Sequence, residues 1–418
     1  MTITNGFELV DPGFYERNGP PHEVWTRLRA ESPVHWCDVP DVDVEHFWAI
    51  TRHADICSIS RQPDKFLSEP GITLLPRSRQ IDESQGLGAM RVVITMDPPE
   101  HRVVRKVASP WFTPRALKQM DDAIELSARR LVDELAEKTD SSGDGETDLA
   151  SGMAVSHPLR ILSMALGVPR EQEAKILELS NRLFAPDDDD LGTGNSKQDF
   201  QRLGQEFLEL FLPIVQQRRS DPTDDLASVL ANGTINGEAM GPMETLGYYL
   251  IVFNAGHDTT KNALAGGFRA LIESPAEFDK VKKDLSRSAD AVEEILRWTS
   301  SVNYMKRTAA CDVEVSGQRI RKGDSLVLFY ASGNRDDRVF DHPFRFDIDR
   351  RPNRHIAFGH GEHFCMGAHL ARRSQRAIVE ELARRVEDWE VIGDPEWIKA
   401  SFVVGLKRLP VRYRIAKR

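Results

Sequence analysis

Apolar residues recur at helical spacing through most of the middle of the chain and alternate over short stretches elsewhere. "PVHWCDV" and "HFWAITRHADICSISRQ" predict a strand, a second strand and a helix. Residues 67–95, which contain "SEPGITLLPRSRQIDESQGLGAM", lose all periodicity and predict a long loop of the functional or mobile kind. After "MDPPEH" the pattern is helical as far as about Arg297; the proline pair suits a helix start, where a missing N–H costs nothing. The helical pattern breaks at "APDDDDLGTGNSK", where four adjacent aspartates repel one another and predict a flexible, solvated connection between two amphipathic helices. "YYLIVFNAGHDTTKNALAGGFRALIESP" is strongly apolar and predicts a long central helix. Beyond "VEEILRWTS" short strands return in "CDVEVSGQRIRKGDSLVLFY", with turns at Ser316-Gly317 and Lys322-Gly323. A glycine-rich loop and the helix "GAHLARRSQRAIVEELARRV" follow. The predicted class is mainly α with a minor β portion.

Length alone, 418 residues, suggests two or three domains, but no Gly/Ser or Pro run divides the chain, so a single domain over residues 1–418 is expected. Apolar residues make up 40%, enough for a large core. No run of about 18 uninterrupted apolar residues exists, so no membrane span is expected. The opening "MTITNGFELVDPGFYERNGPP" has no basic stretch followed by an apolar one and predicts no signal peptide. A net charge of −10 argues against nucleic acid as the main partner. The four cysteines, Cys37, Cys57, Cys311 and Cys365, lie far apart; that is no disulfide framework and fits a reducing cytoplasm. A soluble cytoplasmic enzyme is the expectation, acting as a monomer.

"FGHGEHFCMG", residues 358–367, carries the chemistry. A lone cysteine is most often a small buried hydrophobe, but here Gly359, Gly361 and Gly367 remove side chains where backbone must approach something bulky. The loop runs into a helix start, whose free N–H groups favour a thiolate. Zinc would need further ligands at short spacing, and an iron–sulfur cluster would need more cysteines. One thiolate suffices for haem, whose macrocycle supplies the other four ligands.

"FGHGEHFCMGAHLAR" resembles the haem-binding loop of the cytochrome P-450 family, Phe-Gly-x-Gly-x-His-x-Cys-x-Gly. Other marks of the family follow in order along nearly the whole chain. Glu294 and Arg297 in "EILR" match its Glu-x-x-Arg, with Arg350 in "FRFDIDR" as third member of a structural ion network. "MDPPEHRVVR" matches the start of the C helix, and "AGHDTT" the oxygen-activating stretch of the I helix. The resemblance implies a triangular, mostly helical prism with haem b held between the I helix and the cysteine loop. It assigns Cys365 as the axial iron ligand and Phe358 as the cover of its sulfur. His101, Arg105, Arg307 and His363, with His355 as a weaker candidate, would meet the haem propionates; His101 and Arg105 stand one turn apart on one helix face.

Gly256 in a long apolar helix costs about 1 kcal/mol relative to alanine; its missing Cβ would let the helix lie close to a flat cofactor. Thr259 can bond back to a carbonyl one turn earlier and open a groove for O2, and Asp258 is a titratable group able to feed protons inward. The implied reaction is a monooxygenation: two electrons and two protons, the protons delivered through Thr259 and Asp258, reduce O2, and one oxygen atom enters a C–H bond of the substrate. The electrons would come from a ferredoxin with its NAD(P)H-dependent reductase. Ile251, Ala255, Val302, Phe402 and Val403 are the expected substrate contacts. They are apolar, so a hydrophobic small molecule is expected, with Asn303 and Tyr304 as possible polar anchors. "MDPPEH", "ALGVP", "AGHDTT" and "NRHIAFG" together resemble bacterial members that oxidise terpenoids and steroid side chains. Two alternatives stay open: a peroxygenase on the same fold, and a non-catalytic haem-thiolate sensor or ligand-binding protein. Residues 74–90 and the helices flanking "APDDDDLGTGNSK" are the expected lid. Arg102, Arg105, Lys106, Arg372, Arg373 and Arg376 form a candidate basic patch for an acidic ferredoxin.

Overall fold

The central helix runs Pro242–Glu273, 32 residues, or roughly 48 Å at 1.5 Å per residue. The computed structural model describes residues 4–39, 43–74, 91–194 and 196–416. Because the helix is apolar on most faces, it is packed on most faces. Helices Val155–Ala165, Ser288–Thr299 and Ala368–Arg385 lie against it. Its first half, up to Phe253, joins a core with helices Glu100–Ala108, Glu173–Phe184 and Lys197–Ser220. From Ala263 onward it joins a second core with helices Asp121–Glu137, Ser288–Thr299 and Ala368–Arg385. Residues 254–262 fall between the two cores. Here the sequence turns polar inside an apolar helix, and here the main cavity opens.

Five strands form one sheet, in the order Val34–Cys37, Phe47–Ile50, Ser325–Phe329, Tyr304–Ala309, Phe66–Leu67. Ser325–Phe329, buried at every position, is the middle strand. It runs parallel to Phe47–Ile50 and antiparallel to Tyr304–Ala309, with Val327 beside Ala49 and Lys306. Alternation along Tyr304–Ala309 sends Met305 and Arg307 to one face, and both line the cavity. Lys306 faces the other way and meets Glu45 at 2.7 Å. The predicted turn at Ser316-Gly317 joins Val313–Val315 to Gln318–Ile320, both residues with positive φ, as a two-residue hairpin turn requires.

Two expectations fail. The strand Asp144–Asp148, "DGETD", lies within the stretch read as helical; it has no apolar alternation and forms by pairing with Pro410–Ile415. The connection, described over residues 185–194, is not a solvated tether. Asp188 is buried, accepts the Lys399 N–H at 3.0 Å and lies 3.3 Å from Lys407 Nζ, while Asp190 meets the same lysine at 3.0 Å. Lysines and backbone donors from the C-terminal hairpin offset the repulsion that the aspartate run alone would have. Of the expected lid loop, residues 75–90 lie outside the described residues.

Candidate active site

The cysteine loop bends at Gly359 and Gly361, both with φ near +73°, a conformation that favours glycine. A Cβ on Gly361 would sit 2.1 Å from the Ser60 carbonyl oxygen. That glycine therefore admits the end of the helix His53–Ser60, the bulky neighbour that its missing side chain makes room for. The Cys365 N–H closes the loop onto Phe358 O at 2.9 Å, and Gly367 caps the helix Ala368–Arg385. Cys365 lines the cavity. Burial pushes its thiol up, against the Gly367 N–H and the charges of Arg105 and Arg372. Phe358 packs 6.3 Å from Phe364, centroid to centroid, and the Arg372 guanidinium lies 4.6 Å over its ring.

Along one edge of the cavity stand His101, Arg105, His363 and Arg307. The rings of His101 and His363 are 4.1 Å apart, and Ser68 Oγ lies 3.0 Å from His363 Nε2. Burial and then the charge of Arg307 push His363 down to about 3. Arg307 is buried and donates to the Lys306 carbonyl at 2.7 Å; among the described residues it has no carboxylate at ion-pair distance. Arg105 donates to the Phe364 carbonyl. His101 Nδ1 has no hydrogen-bond partner among the described residues, Glu362 being 3.6 Å away. A buried arginine without an anion, a half-buried arginine and two histidines, beside a thiol that lines the cavity, fit a flat dianionic cofactor with a thiophilic metal, so the residues present fit haem. His355 is not part of this edge. Its Nε2 is 3.1 Å from Glu293, which also takes Arg372 at 2.6 Å, and that claim on its ring draws it behind the loop.

Across the cavity, Ala255, Gly256, Thr259 and Thr260 form the wall. Thr259 Oγ1 donates to Ala255 O at 2.6 Å, the back-bond the sequence predicts. The space at Gly256 is taken by the Leu162 side chain, 3.0 Å from a built Cβ, so that glycine also admits a helix. Asp258 does not face the cavity. It is buried, accepts from Ser180 Oγ and Lys261 Nζ, and lies 3.4 Å from His257 Nδ1. Burial would raise its carboxyl, but Lys261 and His257 hold it well below the usual carboxylate range. Lys261, Ser180 and His257 were missed. The Asp-x-x-Lys spacing inside an apolar helix was the available signal for Lys261, since a buried lysine needs a partner.

Ile251, Ala255 and Val302 line the cavity as expected, joined by Ile94, Leu296 and Met305. Phe402 and Val403 do not. Phe402 packs edge-on to Tyr304 at 5.3 Å, and Val403 bridges to Val302 from behind, so they back the wall. Asn303 Nδ2 donates to Tyr15 OH at 2.7 Å and Ser401 O at 2.8 Å, and Tyr304 is buried in a core with Trp25 and Phe329; neither residue lines the cavity. The ion network forms as expected. Arg297 donates to Glu294 at 2.7 and 2.8 Å, and Arg350 reaches Glu294 at 3.3 Å. The basic patch is mostly neutralised: Arg102 meets Glu362 at 2.8 Å, Arg372 meets Glu293, Arg373 meets Asp121, and Arg376 meets Glu380 at 2.6 Å.

The family model for Cytochrome P450 matches residues 73–387. The chain is 33% identical over 408 residues to linalool 8-monooxygenase of Pseudomonas putida, covering 97% of this chain and 98% of that one. It is 31% identical to steroid C26-monooxygenase of Rhodococcus jostii, covering 99% and 86%. The crystal structure of CYP108D1 from Novosphingobium aromaticivorans superposes with a TM-score of 0.90 at 34% identity, over 99% of this chain and 98% of that one.

Proposed function

Because the chain belongs to the cytochrome P450 family of monooxygenases, we propose that it inserts one oxygen atom of O2 into a C–H bond of a hydrophobic terpenoid or steroid. Its cofactor in this reading is haem b, and its electrons come from a ferredoxin and an NAD(P)H-dependent reductase. The observation that carries the reading is the facing pair across one cavity: a half-buried thiol beside Arg105 and Arg307 on one side, and a hydroxyl on an apolar helix wall on the other. Similarity to a linalool and a steroid monooxygenase and the apolar lining support the substrate class.

Bound haem supplies electron transfer and O2 activation; the protein supplies position, protons and dryness. Cys365 would hold the haem iron through its sulfur, its thiolate favoured by the Gly367 N–H and by Arg105 and Arg372. Phe358 keeps water from the sulfur, which tunes the site from outside the ligand shell. His101, Arg105, Arg307 and His363 would hold the cofactor's two carboxylates. Thr259 Oγ1 holds its proton on the Ala255 carbonyl, which turns its lone pairs toward the cavity to accept a hydrogen bond. Asp258 is held as a carboxylate by Lys261 and His257, so in this reading it would have to leave Lys261 and take up a proton from water before passing one toward Thr259, which makes it a gated relay. Among the described residues no helix is long and apolar enough to cross a membrane.

The test is a reduced, carbon monoxide-bound difference spectrum, followed by turnover of a terpene and steroid panel with NAD(P)H, ferredoxin and reductase. A thiolate-type band and product from O2 are expected. A histidine-type spectrum, or product only with added peroxide, overturns the reading.

A further inference from the structure

We propose that Tyr330 is a further cofactor-binding residue, whose phenol O–H donates to the anionic edge of the cofactor beside Arg307 and His363. This rests on the haem reading above and adds to it a neutral donor that the sequence did not point to.

The chain has six tyrosines, and five have hydroxyls spent inside the protein. Tyr15 OH donates to Leu9 O at 3.0 Å, Tyr248 OH to Val104 O at 2.6 Å, Tyr249 OH to Ala227 O at 2.6 Å and Tyr413 OH to Leu135 O at 2.9 Å. Tyr304 OH meets the Leu74 backbone and the Ser401 side chain. The Tyr330 hydroxyl has no hydrogen-bond partner among the described residues, although the residue is only 3% exposed. It lines the cavity with Arg307, Gly359 and His363. Ser301, Ser374 and Gln375 on the same lining also carry unpartnered polar atoms, but those are sealed from open space. The Tyr330 oxygen is not sealed, so an occupant of the cavity reaches it.

A Cβ on Gly359 would stand 3.6 Å from this oxygen, which puts the phenol beside the bend of the cysteine loop. Burial pushes the phenol up, against the charge of Arg307, so it keeps its proton and can only donate to an anion. Its support is fixed. The Tyr330 carbonyl accepts the Asn334 N–H at 2.8 Å. Asn334 Nδ2 donates to Ser300 Oγ at 2.9 Å, and its Oδ1 accepts the Ile356 N–H at 2.8 Å. Ile356 O in turn accepts the Gly359 N–H at 2.9 Å. The tyrosine's turn and the cysteine loop thus share one frame, and the donor is held in place before any ligand arrives. An anion next to Arg307 would give the phenol the charge-assisted hydrogen bond that the protein withholds.

The experiment uses the purified holoprotein. Haem transfer from Tyr330→Phe to excess apomyoglobin should be about tenfold faster than from the wild type, the effect of one lost hydrogen bond to a charged group. The propionate bending band in its resonance Raman spectrum should shift. Unfolding of the cofactor-free variant should be unchanged or harder, because no protein partner has been lost. Tyr413→Phe, whose hydroxyl is spent on Leu135 O, should show the reverse: easier unfolding and unchanged haem transfer. Haem transfer within twofold of the wild type with an unshifted propionate band overturns the assignment, as does faster transfer matched by easier unfolding of the cofactor-free protein. Either result leaves the haem reading standing. A wild type without the thiolate-type carbon monoxide spectrum overturns that reading and this inference together.

Discussion

Arg297 and Arg307 are both buried, yet they stand in opposite electrostatic conditions. Arg297 meets Glu294 through two hydrogen bonds and also donates to the carbonyls of Asn334, Pro343 and Arg345. Arg350 and Asn353 Nδ2 converge on the same carboxylate. Every charge in that cluster has its partner within the chain. Arg307 stands at the cavity edge with His101, Arg105 and His363, and among the described residues the chain offers it a neighbouring carbonyl and no anion. Burial lowers its affinity for its own proton. The first cluster is finished when the chain folds; the second lacks an anion, and in the proposed reading the cofactor's carboxylates would supply it. The physical sign of a binding site here is a desolvated cation without an anion at the edge of a cavity; among the described residues Arg335 also lacks a carboxylate, but it does not line the cavity and donates to the Arg297 and Trp298 carbonyls.

The comparison is most easily broken at Glu294. Glu294→Gln leaves Arg297 and Arg350 with an uncharged neighbour in a buried position. It should cost about 3–5 kcal/mol, seen in denaturant unfolding with and without the cofactor. A loss confined to the cofactor-loaded protein would mean that this cluster, too, depends on the ligand. Arg307→Leu should act with the opposite sign. Unfolding of the cofactor-free protein should be unchanged or harder, because an uncompensated charge has gone. Haem should transfer to an acceptor protein about 10–100-fold faster, the equivalent of a lost charged hydrogen bond of about 1.5–3 kcal/mol.

A smaller effect is expected from acid. Burial would raise Glu293, but His355 and Arg372 outweigh it and hold the carboxyl at about 2. A depressed carboxyl contributes stability above its unfolded value near 4.3 and loses it as pH falls toward about 2. Glu293→Gln should flatten the stability profile across that window while lowering stability at neutral pH; an unchanged slope would detach this residue from the acid response. The smallest change should follow Arg376→Gln. Arg376 is half exposed and pairs with Glu380 one turn away, so thermal unfolding should register less than about 0.5 kcal/mol. If ferredoxin-dependent reduction also keeps its salt dependence in this variant, the docking face does not rest on Arg376.

How far the site was legible depended on how local its parts are. The cysteine loop, the Glu294–Arg297 pair and the Thr259 back-bond each lie within one element, and their spacing alone brings them together. His101 and Arg105 were legible for the same reason. Asp258 shows the limit. Its position beside Thr259 suggested a shared cavity, but adjacent residues on a helix are about 100° apart, and Ser180 on another helix was waiting on the far side. Phe402 and Val403 were placed on the wall because their loop reaches it; the register that puts Val403 behind Val302 cannot be seen without the fold.

The order of amino acids by itself determined the long apolar central helix, the polar band within it, the thiol-bearing loop at a helix start and the count of cations around it. These follow from periodicity, side-chain type and short-range spacing. Only the tertiary structure decided which cations lack an anion, that Asp188 anchors a connection instead of freeing it, and that Asp258 turns to Lys261 and Ser180. Those facts depend on what lies opposite each side chain, often from residues far away in sequence. A partner's absence is a property of packing that no stretch of sequence contains.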